Sequence, residues 1–253
     1  MIIYKSREEI GKMDRSNRVV TQVLAALARQ VRAGVSTFDL ERSAETLCRE
    51  AGAKPAFKGY RGYPCVLCAS VNDEVVHGIP SPRRVLKDGD IIGLDFGAVV
   101  EGYYGDGAVT VPVGEVSDEA RRLMKVTREA LYRGIEAARP GARVSSISEA
   151  VQTHVEREGF SVVREFVGHG IGTSLHEDPQ VPNYVAAGPN PVLREGVVLA
   201  IEPMVNAGSP AVRIHEDGWT ASTVDRRLSA HFERSVAVTA EGPWLLGGDA
   251  SVV

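Results

Sequence analysis

The sequence predicts an α/β (α+β) fold that is internally duplicated, and three observations predict it. Helix and strand signals run twice in one order: helix, helix, strand, His-Gly-Ile, charged turn, acid. Leu86-Lys87-Asp88-Gly89 and Leu193-Arg194-Glu195-Gly196 stand 107 positions apart at every residue, and the same offset carries Asp95 onto Glu202. Upstream, Gly34-Val35-Ser36 is echoed at Gly141 to Ser145, and His77-Gly78-Ile79 at His169-Gly170-Ile171. Short basic-acidic-Gly turns recur by chance, so the shared order carries the argument. The expectation is one domain over residues 1–253, its halves about 1–115 and 116–253. They would meet around a pseudo-twofold axis, with acids from both at the seam.

Ser6 and Glu9 read as a capping box opening the first helix, with Ile10, Val20, Val23, Leu24, Leu27 and Val31 inward and Gly34 as its stop. Ser36 or Thr37 caps a second helix, whose apolar face carries Leu40, Ala44, Leu47 and Cys48 and which ends at Gly52. Residues 53–64 are a Gly- and aromatic-rich loop and Pro64 to Asn72 a strand. Lys87-Asp88-Gly89-Asp90 then turns into a β-hairpin over Ile91 to Thr110. In the second pass, Ser117-Asp118-Glu119 starts a helix with acids where the macrodipole favours them, and it runs to Pro140-Gly141. Ser146 with Glu149 caps a fourth helix closed by Gly159, and Phe160 to Val167 is strand-like. A Pro/Asn-rich loop (178–191) precedes the strand Val197 to Glu202, residues 205–240 hold further strand signals, and the last few residues read as frayed.

Composition excludes several classes. With 253 residues, 43% hydrophobic and 25% charged, there is enough apolar chain for a sizeable core. A net charge of −4 gives no field favouring nucleic acid or anionic membranes. No apolar run approaches the ~20 residues needed to span a bilayer, and MIIYKSREEI turns charged too early for a secretory signal. Three cysteines are an odd count and no disulfide framework, which points to a reducing, cytosolic compartment.

The chemistry gathers on the hairpin. If its turn is centred between Val100 and Glu101, Asp95 and Asp106 lie directly opposite each other, among Gly93, Gly97 and Ala108. Facing carboxylates on apolar strands repel and are costly to bury, and a hard cation between them resolves both problems. A turn shifted by one residue would instead send one Asp to solvent, and this stretch alone does not choose. The seam of the duplication would add His169 and Glu202, and a strand-like run contributes Glu233. One imidazole cannot neutralise four carboxylates, whereas two divalent ions ~3.5–4 Å apart would, and such a pair activates a bridging water and polarises a carbonyl. An oxygen-rich site suits Mn, Fe or Co better than structural zinc.

The motifs VNDEVVHGIP, LDFGAVVEGYYGD, GHGIG…LHEDP, IEPMVNAG, EDGWT and LSAHFE occur in this order, and together they resemble the methionine aminopeptidases from the first helix to about Thr239. The short gap from Glu202 to Glu233, and the lack of an N-terminal zinc-binding extension, resemble the type I, bacterial-type subgroup. The resemblance implies the pita-bread fold, an antiparallel curved sheet covered by two helix pairs. It implies Asp95, Asp106, His169, Glu202 and Glu233 as the ligands of two divalent ions, Asp106 and Glu233 bridging. The ions would come from Co, Mn, Fe, Ni and Zn, with Fe or Mn used in the cell. The implied reaction is removal of the initiator Met from nascent chains with a small second residue, by attack of a metal-bridging hydroxide on the first peptide bond. Glu202 would shuttle the proton, while His77 and His176 hydrogen-bond the peptide and the tetrahedral intermediate.

The same resemblance places Tyr60, Tyr63, Cys68, Leu175 and Trp219 around the methionine side chain, and Asn72 and Ser229 where relatives hold a monovalent cation. It implies a monomer acting on nascent N-termini, with the ribosome as a candidate partner and no nucleic-acid specificity or membrane. Leu175 and Phe57 depart from common pocket residues, Gly107 from the usual Thr, Ser or Ala, and Arg234 from a common His. His154, His215 and His231 are read as structural, and Cys65-x-x-Cys68 as no redox or zinc motif, since i and i+3 on a strand face opposite ways. Two rivals remain: a proline-specific peptidase on the same fold, which usually carries a large N-terminal domain, and a binding module that has lost catalysis, which would have lost ligands.

Overall fold

A computed structural model of the chain describes residues 1–248, so the expected frayed end lies outside the described residues. The order is α1 (Arg7–Ala28), α2 (Thr37–Glu50), β1 (Lys54–Pro55), a 3-10 turn (Tyr60–Gly62), β2 (Leu67–Val71), β3 (Glu74–Val76), β4 (Ile91–Val100) and β5 (Tyr103–Pro112). Next come α3 (Asp118–Ala137), α4 (Val144–Arg157), β6 (Ser161–Val162), β7 (Gly168–Gly170), β8 (Glu177–Val181), β9 (Val198–Ile201) and β10 (Met204–Asn206). The chain continues through β11 (Val212–Ile214), β12 (Ala221–Thr223), β13 (Ser229–His231), β14 (Glu233–Thr239) and β15 (Gly242–Leu245). The main sheet runs β1-β4-β5-β14-β9-β7-β8, with β2 on β4 and β15 on β14, and its pairs are antiparallel. Helix α1 lies over β4 and β5, and α3 packs on α4 and reaches β9 and β14. Buried Val20, Leu24, Leu94, Leu123, Val151 and Ile201 join both halves in one apolar core.

The repeat is visible in hydrogen bonds. Gly34 N donates to Leu86 O at 2.9 Å and Gly141 N to Leu193 O at 2.9 Å; Leu86 N donates to Val35 O at 2.8 Å and Leu193 N to Ala142 O at 2.7 Å. Each member of the second set lies 107 positions after its counterpart, as do both ends of α4 relative to α2. The pseudo-twofold axis can be placed from strand register. Asp95 pairs with Ala108, and its counterpart Glu202 falls opposite Glu233 when the β9–β14 register is extended by one residue. Ala108 and Glu233 are therefore equivalents, and they pair with each other across β5 and β14, so the axis passes between them. One echo does not survive. His169 pairs with Ala200, whose counterpart Gly93 pairs with Ser70, so the equivalent of His169 is Ser70 and not His77.

Three local expectations are corrected. The Ser6–Glu9 box caps α1 as expected, but the helix ends at Ala28, where Gln30 N and Val31 N bond back to Leu27 O, and Gly34 instead closes a loop onto Leu86. Helix α4 begins at Val144 rather than after Ser146, because Asn190 supplies the cap from a distant loop, its Oδ1 accepting Ser145 N at 2.9 Å. The hairpin turn is Glu101-Gly102, both with positive φ (52° and 82°), which matches the strand twist as a two-residue loop. Asp95 therefore faces Ala108 and Asp106 faces Gly97, so the two acids are diagonal neighbours rather than directly opposite.

Candidate metal centre

Register alone sets the site. A slip of two residues preserves which face a side chain takes, since the pleat repeats every two. Asp95, Asp106 and Ala108 share one face, Cys68 joins it opposite Asp95, Glu233 opposite Ala108, and Glu202 and His169 follow through Ala200. All five residues expected as ligands thus project from five strands or strand ends toward one side of the sheet. They line a cavity of about 150 Å3 together with Phe57, Tyr60, Arg61, Tyr63, Cys68, His77, Leu175, His176 and Trp219. A wider groove of about 850 Å3 along α3 contains none of them.

The acids are close and poorly satisfied. His169 Nε2 is 3.6 Å from Glu202 Oε1 and 3.9 Å from Asp106 Oδ2. Asp95 Oδ1 and Glu233 Oε1 are buried without a hydrogen-bond partner. Burial first, then the neighbouring carboxylates, holds the protons of Asp106 and Glu233 well above the usual carboxylate range; burial pushes Asp95 up to about 7 and Glu202 up to about 8. Buried carboxylates that cannot ionise comfortably and lack donors have the character of a cation site, and groups of three ligand atoms within 4.8 Å occur at Asp106–His169–Glu233 and at Glu202–His231–Glu233. The residues present therefore fit divalent ions. His169 is also pre-set as a ligand: its Nδ1 donates to Gly170 O at 2.8 Å, which leaves Nε2 with a lone pair facing the acids.

The remaining expected residues surround this cluster. His77 sits at φ 61°, with its ring edge-on to Phe166 and Trp219 at 5.3 and 6.2 Å, and burial pushes its pKa down to about 4, leaving a neutral imidazole. A non-glycine residue at positive φ is strained backbone of the kind retained at sites. His176 stacks on Tyr60, whose hydroxyl meets its Nδ1 at 2.9 Å, and lies 4.1 Å from the His169 ring. Tyr63 donates to Leu67 O at 3.0 Å and packs edge-on against Trp219 at 5.1 Å. Cys68 is buried, its thiol pKa pushed well up by burial, and all three cysteines are free. Asn72 and Ser229 are brought together by Ser229 N donating to Asn72 O at 2.9 Å.

The turn bearing Leu175 and His176 is held by a buried ion pair. Lys5 Nζ lies 2.6 Å from Glu177 Oε2, with side-chain exposures of 3% and 5%, and Glu177 Oε1 accepts Ser174 N at 3.2 Å. A Cβ at Gly172 would stand 2.5 Å from Glu177 Oε1 and 2.6 Å from Lys5 Cε, so a side chain there would displace this ion pair.

Sequence reasoning missed two neighbours. Arg61 lines the cavity, its guanidinium 5.4 Å from the Tyr60 ring centre, and nothing in a Gly-rich loop signals that. His231 lies with Nε2 3.6 Å from Glu202 Oε2; its position two residues before Glu233 on a strand-like run was the available signal. His154 is structural as expected, its Nε2 3.1 Å from Glu129.

Comparison with known proteins agrees with this geometry. The profile of Metallopeptidase family M24 matches residues 11–240. The chain is 52% identical over 242 residues to methionine aminopeptidase 1 of Bacillus subtilis (strain 168), covering 96% of this chain and 97% of that protein. The crystal structure of methionine aminopeptidase from Thermotoga maritima superposes with a TM-score of 0.96 at 45% identity, covering 98% of this chain and all of that one (100%). A prolidase from Pyrococcus furiosus, at TM-score 0.78 and 23% identity, shares the fold and is covered over 66% of its length. The fold is thus the duplicated pita-bread architecture, and the chain belongs to metallopeptidase family M24, within its bacterial-type methionine aminopeptidases.

Proposed function

We propose that this protein removes the N-terminal methionine from nascent chains and peptides whose second residue is small. It would do so in the cytoplasm, as a monomer and as one catalytic domain over residues 1–253 with halves 1–115 and 116–253. The observation that carries this reading is the convergence of Asp95, Asp106, His169, Glu202 and Glu233 on one face, at the floor of an aromatic-walled cavity. Two divalent ions, Fe or Mn in the cell, would be held by these five residues, with Asp106 and Glu233 shared between them. When bound, such ions neutralise the carboxylates, acidify water and act as Lewis acids toward the scissile carbonyl.

The chain's own groups do the rest. Tyr63, Cys68, Leu175 and Trp219, with Tyr60 and Phe57, form a narrow apolar slot in which a neutral, buried thiol suits a thioether. Glu202 retains 14% side-chain exposure at the cavity, where it takes the proton of the attacking water and returns it to the leaving amine. Neutral His77 and His176 donate to the peptide carbonyl and to the oxyanion as charge develops. Asn72 and Ser229 would hold a monovalent cation behind the site, and the ribosome is the proposed docking partner.

Release of free methionine from Met-Ala-Ser, set against X-Pro peptides and measured with Mn, Fe, Co and Zn, tests the reading. Cleavage only of the first peptide in a metal-dependent way is expected, whereas preferential X-Pro cleavage would overturn it. His77→Ala is expected to lower kcat by roughly 10²–10³-fold with metal content unchanged, as for loss of one oxyanion donor; an unchanged kcat would assign His77 to packing. Trp219→Ala should widen the slot and raise turnover of Leu- relative to Met-initiated peptides, and unchanged selectivity would remove Trp219 from it.

A further inference from the structure

His231 is the one imidazole at this centre without a stated task. It is buried, with 4% side-chain exposure, and its Nε2 has no hydrogen-bond partner. The nearest opposite charge is Glu202 Oε2 at 3.6 Å, while the other oxygen of the same carboxylate, Oε1, faces His169 Nε2 at 3.6 Å. Glu202 thus stands between two imidazoles, one on each oxygen. The two differ in kind. His169 lines the cavity and its Nδ1 is committed to Gly170 O, so its Nε2 presents a lone pair. His231 is not among the residues that line the cavity, and its ring nitrogen lies close to Glu202 and Glu233. The backbone of His231 is pinned on both sides by Thr110, whose Oγ1 accepts His231 N at 2.9 Å and donates to His231 O at 2.8 Å. A side chain on so anchored a backbone, with a buried, unpartnered nitrogen 3.6 Å from a carboxylate oxygen, is placed to be a donor to it.

We infer that His231 is a positioning residue: its Nε2–H holds Glu202 Oε2, so that Oε1 stays turned toward His169 and the other acids. At 3.6 Å the pair stands just beyond hydrogen-bonding distance, and a small turn of either side chain closes it. The inference rests on the divalent-metal reading of the five acids and His169, and it deepens that reading by giving Glu202 a second support. Outer partners of this kind typically hold ten- to a hundredfold in metal affinity.

Two substitutions of similar bulk separate a donor from mere filling. His231→Gln keeps an N–H able to reach Glu202, and His231→Leu does not. Metal-free wild type and both variants, matched in circular dichroism, are titrated with Mn2+ by calorimetry, and Co2+-loaded samples are examined by visible absorption. Expected are a roughly 10–100-fold weaker Mn2+ constant in His231→Leu, recovery to within about threefold of wild type in His231→Gln, and the same Co2+ band in wild type and His231→Gln. Equal constants in all three proteins would make His231 a packing residue and overturn the inference. Equal weakening in both variants, with one ion lost per chain and an altered Co2+ band, would make it a direct ligand and overturn it too. If wild type itself binds no divalent ion, the metal reading fails and this inference falls with it.

Discussion

Asp106→Asn is expected to abolish turnover and to weaken divalent-ion binding by more than the ~10–100-fold that loss of a mere supporting partner causes. Asp106 is buried, shares its face with Asp95 and Glu233, and lies 3.9 Å from His169 Nε2, so it is placed to reach more than one bound ion. An amide preserves its shape and can still accept Gly107 N, which now meets Oδ1 at 3.1 Å. What the amide removes is a group that bound ions need ionised and that the metal-free fold must hold protonated. The metal-free variant should therefore melt at a higher temperature than metal-free wild type at neutral pH, because an amide has no proton to take up on folding. Loss of activity together with a gain in apo stability is the signature; full turnover with two ions retained would refute the role.

The second expectation concerns the metal-free protein and pH. Asp95 and Glu202, with ordinary values near 4, sit at about 7 and about 8 because of burial, and burial with the neighbouring carboxylates also holds Asp106 and Glu233 well above their ordinary range. A group that binds its proton more tightly folded than unfolded makes stability fall as pH rises from its unfolded to its folded pKa. For these acids that window runs from about pH 4 to about 8 and beyond. The buried histidines act oppositely. His77 at about 4 and His169 at about 3 stay neutral where the unfolded chain is protonated, so their part of the stability rises up to about pH 6.5 and then stops. The two slopes oppose one another below pH 6.5, and above it only the acids act. Metal-free stability should therefore drop between pH 6.5 and 9, chiefly through Glu202 at about 8 and the still-protonated Asp106 and Glu233, because most of the Asp95 effect is already spent below pH 7, while Mn2+ should flatten the profile. Urea unfolding at pH 6.5 and 9, with EDTA or Mn2+, checks this; a metal-free protein more stable at pH 9 would show the sign to be wrong.

Much of the fold was legible because both the repeat and the capping are local. Ser6, Ser36 and Ser117 announce their helices within three residues, and the 107-residue offset needs only subtraction. That the five candidate residues share one face was legible because each acid interrupts an apolar strand, and because a two-residue error in the hairpin leaves the face unchanged. What escaped was non-local. Asn190 caps α4 from across a loop, and His231 comes to Glu202 through the pairing of β13 with β10, where it stands opposite Met204. The repeated His-Gly-Ile letters misled because equivalence is set by strand pairing, which places His169 over Ser70.

The bond between Lys5 and Glu177 also bears on how the molecule comes to life. Its two ends are 172 residues apart in the chain, so it ties the start of the first half to the middle of the second. Until residue 177 has emerged and the chain has wrapped back, the ammonium of residue 5 has no counter-charge and the turn bearing Leu175 and His176 has no seat. Glu202 and Glu233 follow later in the chain, so this turn can be seated on the first segment of the protein before the acidic floor beneath it is complete.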